Sequence, residues 1–328
     1  MSPRDRALEV GVIGVGNMGR HHARVYAELS AATLAGVCDA DGDRAREVAS
    51  EYDAAALDLE TVLERVDAVS IAVPTHAHYD VARRCLEAGV APLIEKPVVD
   101  DLETGRKLRW KAADADVPVQ VGHVERFNPA VQTLEDLLED LSVIGVAAER
   151  LGPPPEQPID DSAVLDLMIH DVDVVCSLLE GEPTAVKSTG VQANRHASAL
   201  LEFDSGPMAS LTASRLTQRK VRSLEITAEE CLLELDYIDQ SIEIHRDSAP
   251  EYVERNGDVR FTHESIVERP RIPADEPLRR ELEAFLEAVR TGTAPAVTLE
   301  DGLQALEIAR EIERQGRNEP AEVEVVND

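Results

Sequence analysis

Three glycines near the start of the chain mark the junction between an apolar run and a helical pattern. The run LEVGVI, residues 8–13, is followed by GVGNMG, in which Gly14, Gly16 and Gly19 have the spacing G-x-G-x-x-G. At a strand-to-helix turn, the first two glycines allow a tight bend and close approach of a diphosphate to the helix N-terminus. The third allows the helix to pack closely on the strand. The motif therefore predicts a dinucleotide-binding strand and helix.

An acidic residue ends the next predicted strand. That strand, TLAGVCD, finishes with Asp39, which lies 25 residues after Gly14. A carboxylate at this place can accept both hydroxyls of the adenosine ribose and would repel a 2′-phosphate. The sequence therefore predicts NAD as the cofactor and disfavours NADP. Arg44 could soften that preference, or it is an ordinary exposed arginine of the following helix.

The first 122 residues continue to alternate between apolar runs and helical patterns. VDAVSIAVP, APLIEKP and VPVQVG are typical of buried parallel strands, and helices are predicted in AHYDVARRCLEAG and from Asp101 to Asp114. Six strand signals in this rhythm predict an α/β Rossmann domain with a doubly wound parallel sheet, which binds ligands at the carboxyl ends of its strands. The predicted cofactor-site residues are Gly14, Gly16, Asn17, Met18, Gly19, Asp39, Pro74, Thr75, His78, Glu95 and Lys96.

Residues 123–328 have a different pattern. From Val143 onward, short runs such as SALLEFD, MASLTASR and CLLELDY alternate apolar with polar residues, and turn signals such as DSGP separate them. This predicts an α+β domain with an open, largely antiparallel sheet. Two helices are expected after the strands, at about Pro277–Thr291 and Leu299–Gln315, and one of them could pack back on the first domain.

The charge balance disfavours two classes of partner. The chain has 64 acidic and 33 basic residues, a formal net charge of −31 at pH 7, so nucleic acid and anionic membranes are poor partners. No apolar run approaches the roughly 18 residues of a membrane span, and MSPRDRALEV lacks the apolar core of a signal peptide, so we expect a cytoplasmic protein. Salt at about 1 M would screen most of the self-repulsion, which suggests a salt-accumulating halophile as the source.

Neither disulfides nor a metal cofactor is expected. The four cysteines are far apart in apolar surroundings, as is typical of reduced core residues. No group of histidines, cysteines and carboxylates has the spacing of a metal site. The cysteines are Cys38, Cys85, Cys176 and Cys231.

The segment VLDLMIHDVDVV, residues 164–175, places ionisable groups in an apolar helix. At about 100° per residue, Asp166, His170 and Asp173 form a narrow polar stripe on a predicted α-helix. Such a stripe is either the solvent face of the helix or a set of groups facing a polar cavity, because a buried carboxylate must be paired. The segment alone does not decide between these readings.

Several segments together resemble one enzyme family. GVIGVGNMGRHH, VPTHAHYDVARRCLEAG, EKP, GHVERFNPA and LDLMIHDVD occur in the order and spacing of the glucose-fructose oxidoreductase / inositol dehydrogenase / MocA (Gfo/Idh/MocA) family. The resemblance implies hydride transfer between a sugar or cyclitol hydroxyl carbon and a nicotinamide. It also implies a homo-oligomer, a dimer or tetramer, that associates through the open face of the second sheet.

The resemblance implies roles for three residues. His170 would be the general base, Asp166 a ligand of the substrate hydroxyl, and Lys96 the cation that holds developing negative charge. It also implies a cis peptide bond before Pro97. Asp171 and Asp173 are interpreted instead as packing or hydrogen-bonding residues.

The substrate is less constrained than the reaction. GHVERFNPA and ERLGPPP resemble the nucleotide-sugar members, in particular UDP-N-acetylglucosamine 3-dehydrogenases, and a diphosphate requires cations. The run RLTQRKVR supplies Arg215, Arg219, Lys220 and Arg222, although a basic edge strand that resists pairing explains it equally well. The alternatives are a free-sugar or inositol dehydrogenase and a non-catalytic NAD-sensing protein. The candidate substrate residues are Lys96, His123, Arg126, Asn128, Arg150, Asp166, His170 and Arg219, of which His123, Arg126 and Asn128 are equally compatible with structural pairing.

Overall fold

The chain forms two compact units. The computed structural model describes residues 6–154, 162–179, 182–247, 251–255, 258–262 and 264–317. The first unit comprises Met1–Phe127 and Asp275–Glu307, and the second comprises Asn128–Ala274 and Ile308–Asp328. The first unit thus continues a few residues past the boundary predicted after residue 122, and it includes a segment from much later in the chain.

A six-stranded parallel sheet forms the centre of the first unit. The strands follow the spatial order β3-β2-β1-β4-β5-β6, which is the order of a doubly wound dinucleotide-binding sheet and confirms the predicted fold class. The strands are β1 (Leu8–Ile13), β2 (Ala32–Cys38), β3 (Ala55–Ala56), β4 (Ala68–Ile71), β5 (Ala91–Glu95) and β6 (Gln120–Gly122). The helices between them are α1 (Asn17–Glu28), α2 (Gly42–Glu51), α3 (Leu59–Leu63), α4 (His78–Ala88) and α5 (Leu102–Ala113).

The core of this unit explains why the strands are so apolar. Val10, Val12 and Leu93 are fully buried and pack in one cluster with α1. The later helix α8 (Pro277–Thr291) adds Leu282 and Phe285 to the same cluster. Parallel strands covered on both faces by helices lack a polar face, so they appear in sequence as continuous apolar runs.

A mixed eight-stranded sheet forms the second unit. Its order is β16-β13-β12-β11-β7-β10-β9-β8, and its pairs are antiparallel except for the parallel pair of β7 and β10. This confirms the predicted open, largely antiparallel sheet. The strands are β7 (Val143–Leu151), β8 (Pro183–Val191), β9 (His196–Phe203), β10 (Met208–Ser214), β11 (Val221–Ala228), β12 (Leu232–Asp236), β13 (Ser241–Asp247) and β16 (Ser265–Glu268), and a separate hairpin is formed by β14 (Glu251–Arg255) and β15 (Asp258–Thr262).

Helices cover one face of the second sheet. In β10, Ala209, Leu211 and Ala213 are buried on that face while Met208 and Ser210 are exposed on the other, which is the alternation expected of a half-covered sheet. The covering helix α7 (Ile169–Leu178) contacts both β7 and β10. The helical elements are α6 (Pro129–Leu138), a π-helix (Val164–Met168), α7 (Ile169–Leu178) and α9 (Leu299–Gly316), whose residues from Ile308 belong to this unit.

Within the described part of the chain, none of the helices combines the length and apolar character that crossing a bilayer requires. All four cysteines are free, and Cys85, Cys176 and Cys231 are buried. Burial raises the pKa of the Cys85 thiol to about 12, so this side chain is a neutral core group at neutral pH.

Candidate active site

The glycine loop after β1 has the geometry of a dinucleotide site. Gly14 has φ +85°, and a Cβ there would lie 2.7 Å from the backbone of Ala72, while a Cβ on Gly19 would lie 1.8 Å from the Gly14 carbonyl oxygen. Both positions therefore require glycine. A Cβ on Gly16 would meet nothing within 4 Å, and Gly16 caps α1 without a side-chain hydrogen bond. The loop thus leaves space at a helix N-terminus, which suits a diphosphate.

Asp39 lies directly after β2 and is held in place from two sides. Its Oδ2 accepts the Val15 N–H at 2.7 Å, and Arg44 donates from Nε to Oδ2 at 3.1 Å and from Nη2 to Oδ1 at 2.7 Å. Burial raises the pKa of the Asp39 carboxyl, but the bonds from Arg44 and from the backbone outweigh it and bring that pKa below its ordinary value. Arg44 is therefore an exposed arginine of α2 that pairs with Asp39.

The other cofactor-loop residues lie at the same edge of the sheet. Asn17 and Met18 form the first turn of α1, and Pro74 and Thr75 begin a 3₁₀ turn after β4. His78 is buried, with Nδ1 2.9 Å from the Pro97 carbonyl oxygen and Nε2 2.8 Å from the Val73 carbonyl oxygen. Burial lowers the pKa of His78. Its ring thus links the loops that follow β4 and β5.

A buried chain of hydrogen bonds ends at the segment EKP. His22 Nε2 lies 2.9 Å from Glu95 Oε1, and His22 Nδ1 lies 2.9 Å from Ser70 Oγ, which in turn lies 2.9 Å from the Tyr26 hydroxyl. Burial raises the pKa of Glu95, but the bond to His22 and the charge of Lys96 bring it below its ordinary value. Sequence reasoning missed His22. The available signal was its place three residues after Gly19 on the apolar face of α1.

The peptide bond between Lys96 and Pro97 is cis, as the resemblance implied. His123 is fully buried in the same unit. Burial, followed by the charges of Lys96 and Arg126, lowers the pKa of His123 to about 3, so the ring is neutral at physiological pH. Arg126 is half-buried in the 3₁₀ turn Val124–Phe127. Lys96, His123 and Arg126 therefore belong to one polar group of the first unit.

The helix that carries Asp166 and His170 is irregular. The sequence predicted an α-helix, whereas residues 164–168 form a π-helix that continues into α7. Asp166 lies inside the π-helix and His170 in the first turn of α7, and both side chains are half-buried. Asp166 Oδ2 accepts a hydrogen bond from Arg215 Nη2. The polar stripe is therefore more than a solvent face, because its first carboxylate is paired with a buried cation.

Asp171 is also paired with an arginine. Arg150 donates from Nε to both carboxylate oxygens, at 3.1 and 3.0 Å, and from Nη2 to Oδ1 at 2.7 Å. The two side chains are 4% and 2% exposed, and the Arg150 guanidinium lies 5.0 Å from the centre of the Tyr237 ring. These contacts argue against Arg150 as a diphosphate ligand and give both residues a structural role.

Asn128 is likewise engaged in the fold. It caps α6 by accepting the Ala130 N–H at 3.1 Å, and its Nδ2 donates to the Tyr237 carbonyl at 3.1 Å. This is the structural pairing considered above. Arg222 donates to the carbonyls of Leu151 and Val221 at 2.6 and 2.7 Å, whereas Arg219 and Lys220 are exposed. Arg219 and Lys220 are therefore the cations of the basic run with side chains at the surface.

Among the described residues, the fold brings together one group of possible metal ligands that the spacing in the sequence did not indicate. Glu234, Glu243 and His245 lie on neighbouring strands, with their ligand atoms within 4.8 Å of one another. His245 Nε2 is 3.2 Å from Glu234 Oε2, and Arg269 Nε donates to Glu243 Oε1 at 2.8 Å. Each carboxylate already has a neighbour in the chain, His245 beside Glu234 and Arg269 beside Glu243, so the group provides no argument for a metal. Metal independence stays a prediction.

Two family models match the chain. The model of the oxidoreductase family GFO/IDH/MocA, NAD-binding Rossmann fold, matches residues 8–123, and that of the GFO/IDH/MocA C-terminal domain matches residues 153–234. The chain is also 36% identical over 247 residues to the UDP-N-acetylglucosamine 3-dehydrogenase of Acidithiobacillus ferrooxidans, covering 74% of this chain and 78% of the relative. The chain belongs to the Gfo/Idh/MocA family.

Further relatives agree on the family but differ in substrate. The inositol 2-dehydrogenase of Rhizobium meliloti is 26% identical over 320 residues, which cover 92% of this chain and 94% of the relative. A solved structure of the Acidithiobacillus ferrooxidans UDP-N-acetylglucosamine 3-dehydrogenase matches with a TM-score of 0.84 and 31% identity, over 94% of this chain and 98% of that one. This Gfo/Idh/MocA member is thus an NAD-binding sugar oxidoreductase, and the loop geometry around Gly16 and Asp39 fits that cofactor.

The pair of Asp39 and Arg44 predicts how cofactor preference can be changed. In Asp39→Ser, the ribose acceptor is lost and Arg44 is released to bind a 2′-phosphate. Since a charge-assisted hydrogen bond contributes about 1.5–3 kcal/mol, the ratio of NAD to NADP affinity should fall at least about tenfold. Calorimetric titration of both cofactors measures this. Adding Arg44→Ala should remove the gain in NADP affinity, and a gain that persists there would refute the role of Arg44.

The buried His123 predicts an effect of pH on stability. Below the ordinary pKa of 6.5, the unfolded chain binds a proton that the folded chain, with a pKa of about 3, does not. His123 therefore costs stability as pH falls from about 6.5 towards 3. In His123→Gln that cost is absent, so the deficit in unfolding free energy that the variant has at pH 7.5 should narrow between pH 6 and 5, by up to about 1.4 kcal/mol per pH unit. Its deficit in melting temperature should narrow with it. Thermal melts at three pH values measure it, and a deficit independent of pH would contradict the prediction.

Proposed function

We propose that the protein oxidises the 3-hydroxyl of UDP-N-acetylglucosamine to a ketone with NAD. The observation that carries this proposal is the similarity to UDP-N-acetylglucosamine 3-dehydrogenase, 36% identity over 247 residues with a structural match over 94% of the chain. Lys96, Asp166 and His170 supply the chemical groups that alcohol oxidation requires.

The reaction removes two hydrogens from the substrate, a hydride from the carbinol carbon and a proton from the hydroxyl, and each needs its own acceptor. When bound, NAD accepts the hydride from the carbinol carbon. His170 accepts the hydroxyl proton, for which a neutral imidazole is suited near pH 7. The reacting hydroxyl has only one proton, so Asp166 accepts a hydrogen bond from a neighbouring hydroxyl of the sugar and so orients the substrate. Lys96 stabilises the negative charge that develops on the reacting oxygen. The ketone forms as the carbon–hydrogen bond breaks.

Hydrogen bonds within the first unit fix the backbone of Lys96. Glu95 lies at the end of β5, next to the lysine, and its carboxylate is fixed by His22. The Lys96 backbone N–H lies 3.2 Å from Glu95 Oε2. Because the orientation of a catalytic side chain starts from its backbone, these bonds favour one placement of Lys96.

The diphosphate of the proposed substrate requires cations that are accessible. Arg219 and Lys220 meet this condition in the second unit, and Arg126 does so in part in the first. Arg150, Arg215 and Arg222 are instead held in bonds to the fold or to Asp166. We therefore assign Arg219 as the principal candidate for diphosphate binding.

A second candidate function is an inositol or free-sugar dehydrogenase. The 26% identity to inositol 2-dehydrogenase extends over 92% of the chain and favours this alternative. Such an enzyme needs hydroxyl ligands but no diphosphate clamp. A non-catalytic NAD-sensing role is less well supported, because Lys96, Asp166 and His170 are all present.

We also propose that the protein is a homo-oligomer, a dimer or tetramer, associated through the outer face of the second sheet. That face exposes Leu200 and Met208 at 43% and 47% of their surface. Beside them, a depression of about 300 Å³ is lined partly by Ser198, Ser210 and Thr212. Exposed apolar residues grouped on one surface are typical of a protein interaction site. Sedimentation equilibrium measures the state directly, and a monomer at micromolar concentration would refute this part.

NADH production with a panel of sugars tests the substrate. We expect turnover of UDP-N-acetylglucosamine and none of myo-inositol or glucose. The assay is run in about 1 M salt and in dilute buffer, and equal activity in the two would contradict the halophile hypothesis. Arg219→Ala should raise the KM for UDP-N-acetylglucosamine about tenfold with little change in kcat, from the loss of a charge-assisted bond. Arg106→Ala, which removes an exposed arginine of α5, is the control. Turnover of inositol alone would favour the second candidate.

His170→Ala tests the assignment of the general base. A general base contributes about 10²–10⁴-fold to the rate, so kcat should fall by at least about 100-fold. NAD affinity should stay within about twofold, because His170 is outside the dinucleotide loop. His245→Ala, a half-buried histidine on β13, serves as the control and should keep full kcat. A His170→Ala enzyme with near-normal kcat would rule out the assignment, and NAD binding without turnover in the unmodified protein would favour the NAD-sensing role.

A further inference from the structure

Arg215 is a buried cation directly after β10. The residue is 5% exposed, its backbone N–H donates to the Arg195 carbonyl at 2.9 Å, and the preceding Ser214 carbonyl accepts the Gly152 N–H at 2.9 Å. The backbone is thus tied to two neighbouring segments. Because a guanidinium does not lose its proton in proteins, a buried one requires an anion beside it.

Asp166 is an anion that Arg215 contacts. The Arg215 side chain is 6% exposed, whereas that of Asp166 is 31% exposed. The cation therefore contacts the carboxylate from the protein side, and the carboxylate itself remains partly accessible. A carboxylate has about four acceptor sites, so pairing with an arginine is compatible with a further donor such as a hydroxyl.

The backbone at Asp166 makes such a contact useful. Asp166 lies in a π-helix, a rare geometry in which the hydrogen bonds run from i to i+5. Its own N–H makes an α-type bond, to the Ser162 carbonyl four residues earlier at 3.1 Å. Single π-turns are frequent at functional sites, and here the π-helix carries the carboxylate that contacts Arg215, whose backbone is anchored at the end of β10.

We propose that Arg215 is a positioning residue for sugar oxidation, whose guanidinium holds Asp166 as an ionised and oriented acceptor for a substrate hydroxyl. The inference rests on the proposed function, because it takes Asp166 as the hydroxyl ligand. The sequence had suggested Arg215 as a diphosphate cation. Its burial and its bond to Asp166 assign it to the hydroxyl end of the substrate instead.

The neighbouring pair of Arg150 and Asp171 provides a comparison. Arg150 is the register partner of Ala213 on the adjacent parallel strand, so both arginines lie at the same end of the sheet and contact the same helical segment. The Asp171 side chain, however, is 2% exposed. Because that carboxylate is closed to solvent, the Arg150 pair anchors the helix and has no access to a ligand.

A double-mutant cycle tests the proposal. Arg215→Met keeps the length of the side chain but removes the charge, and it should lower kcat about 30- to 100-fold with NAD affinity unchanged, since misplacing a reacting partner by about 1 Å can cost 10²-fold. In the Asp166→Asn background, the same substitution should cost less than about threefold, because Arg215 acts through Asp166. Arg215→Lys, which keeps the charge, should recover kcat to within about tenfold of the unmodified enzyme.

Arg150→Met is the matched control. It should lower the melting temperature while the folded fraction keeps kcat within about threefold. Two results would overturn the proposal. In the first, Arg215→Met lowers kcat by the same factor in the unmodified protein and in the Asp166→Asn background. In the second, Arg215→Lys folds but has a kcat as low as that of Asp166→Asn, and this result can be obtained even if Arg215→Met does not fold.

The kinetic results distinguish an error in the proposed function from an error in the role of Arg215. If the unmodified enzyme oxidises no sugar of the panel, the proposed function is wrong and the role of Arg215 is refuted with it. If the unmodified enzyme is active and Asp166→Asn is slow while Arg215→Met is not, only the role of Arg215 is refuted.

Discussion

A buried guanidinium must have an anion beside it, and on the helical segment that carries Asp166 and His170 this constraint operates twice. Arg215 contacts Asp166, and Arg150 contacts Asp171 five residues later. Removing one partner from a buried pair leaves an uncompensated charge, which is far more costly than the net contribution of the pair. The Arg150 pair therefore anchors the helix to the sheet, and the Arg215 pair holds its first carboxylate. The proposed role of Asp166 depends on the second pair.

In the first unit, buried polar groups are held by two histidines and one carboxylate. His22 joins Glu95 to Ser70, and His78 joins the loop after β4 to the loop after β5. Both rings are buried between elements that end at the carboxyl edge of the sheet. Loops at this edge are irregular and would otherwise leave polar groups unsatisfied. The histidines therefore connect the loops that surround the dinucleotide site.

A feature could be predicted from the sequence where the interacting residues are close together in the chain. The G-x-G-x-x-G turn and the acidic end of β2 depend on contacts among nearby residues, so the pattern of Gly14, Gly16 and Asp39 was sufficient. The two helices after the strands were also confirmed, within about one residue at their ends, because their apolar periodicity is strong. The parallel pairing of β7 with β10 was not predictable, because strand alternation does not encode the direction of a partner.

The pairing of Asp166 with Arg215 could not be predicted either, because the pattern of one segment does not identify its distant partner. The two residues are 49 positions apart, and Arg215 lies in a basic run that also contains the exposed Arg219 and Lys220. The π-helix was also missed, since the residues 164–168 have the apolar periodicity of an α-helix and the change in hydrogen bonding has no compositional signature. His22 was missed because a histidine one turn into a helix is an ordinary polar residue until its partner Glu95 is located.

The net charge of −31 separates the exposed pairs from the buried ones. Surface pairs such as Lys107 with Glu103, 56% and 72% exposed, contribute little and are screened by salt. The pairs of Arg150 and of Arg215 have little solvent around their cations, so ions screen them much less. Added salt therefore weakens the repulsion among surface carboxylates without weakening the contacts that hold the Asp166 helix. The site geometry should change less with ionic strength than the stability of the fold that surrounds it.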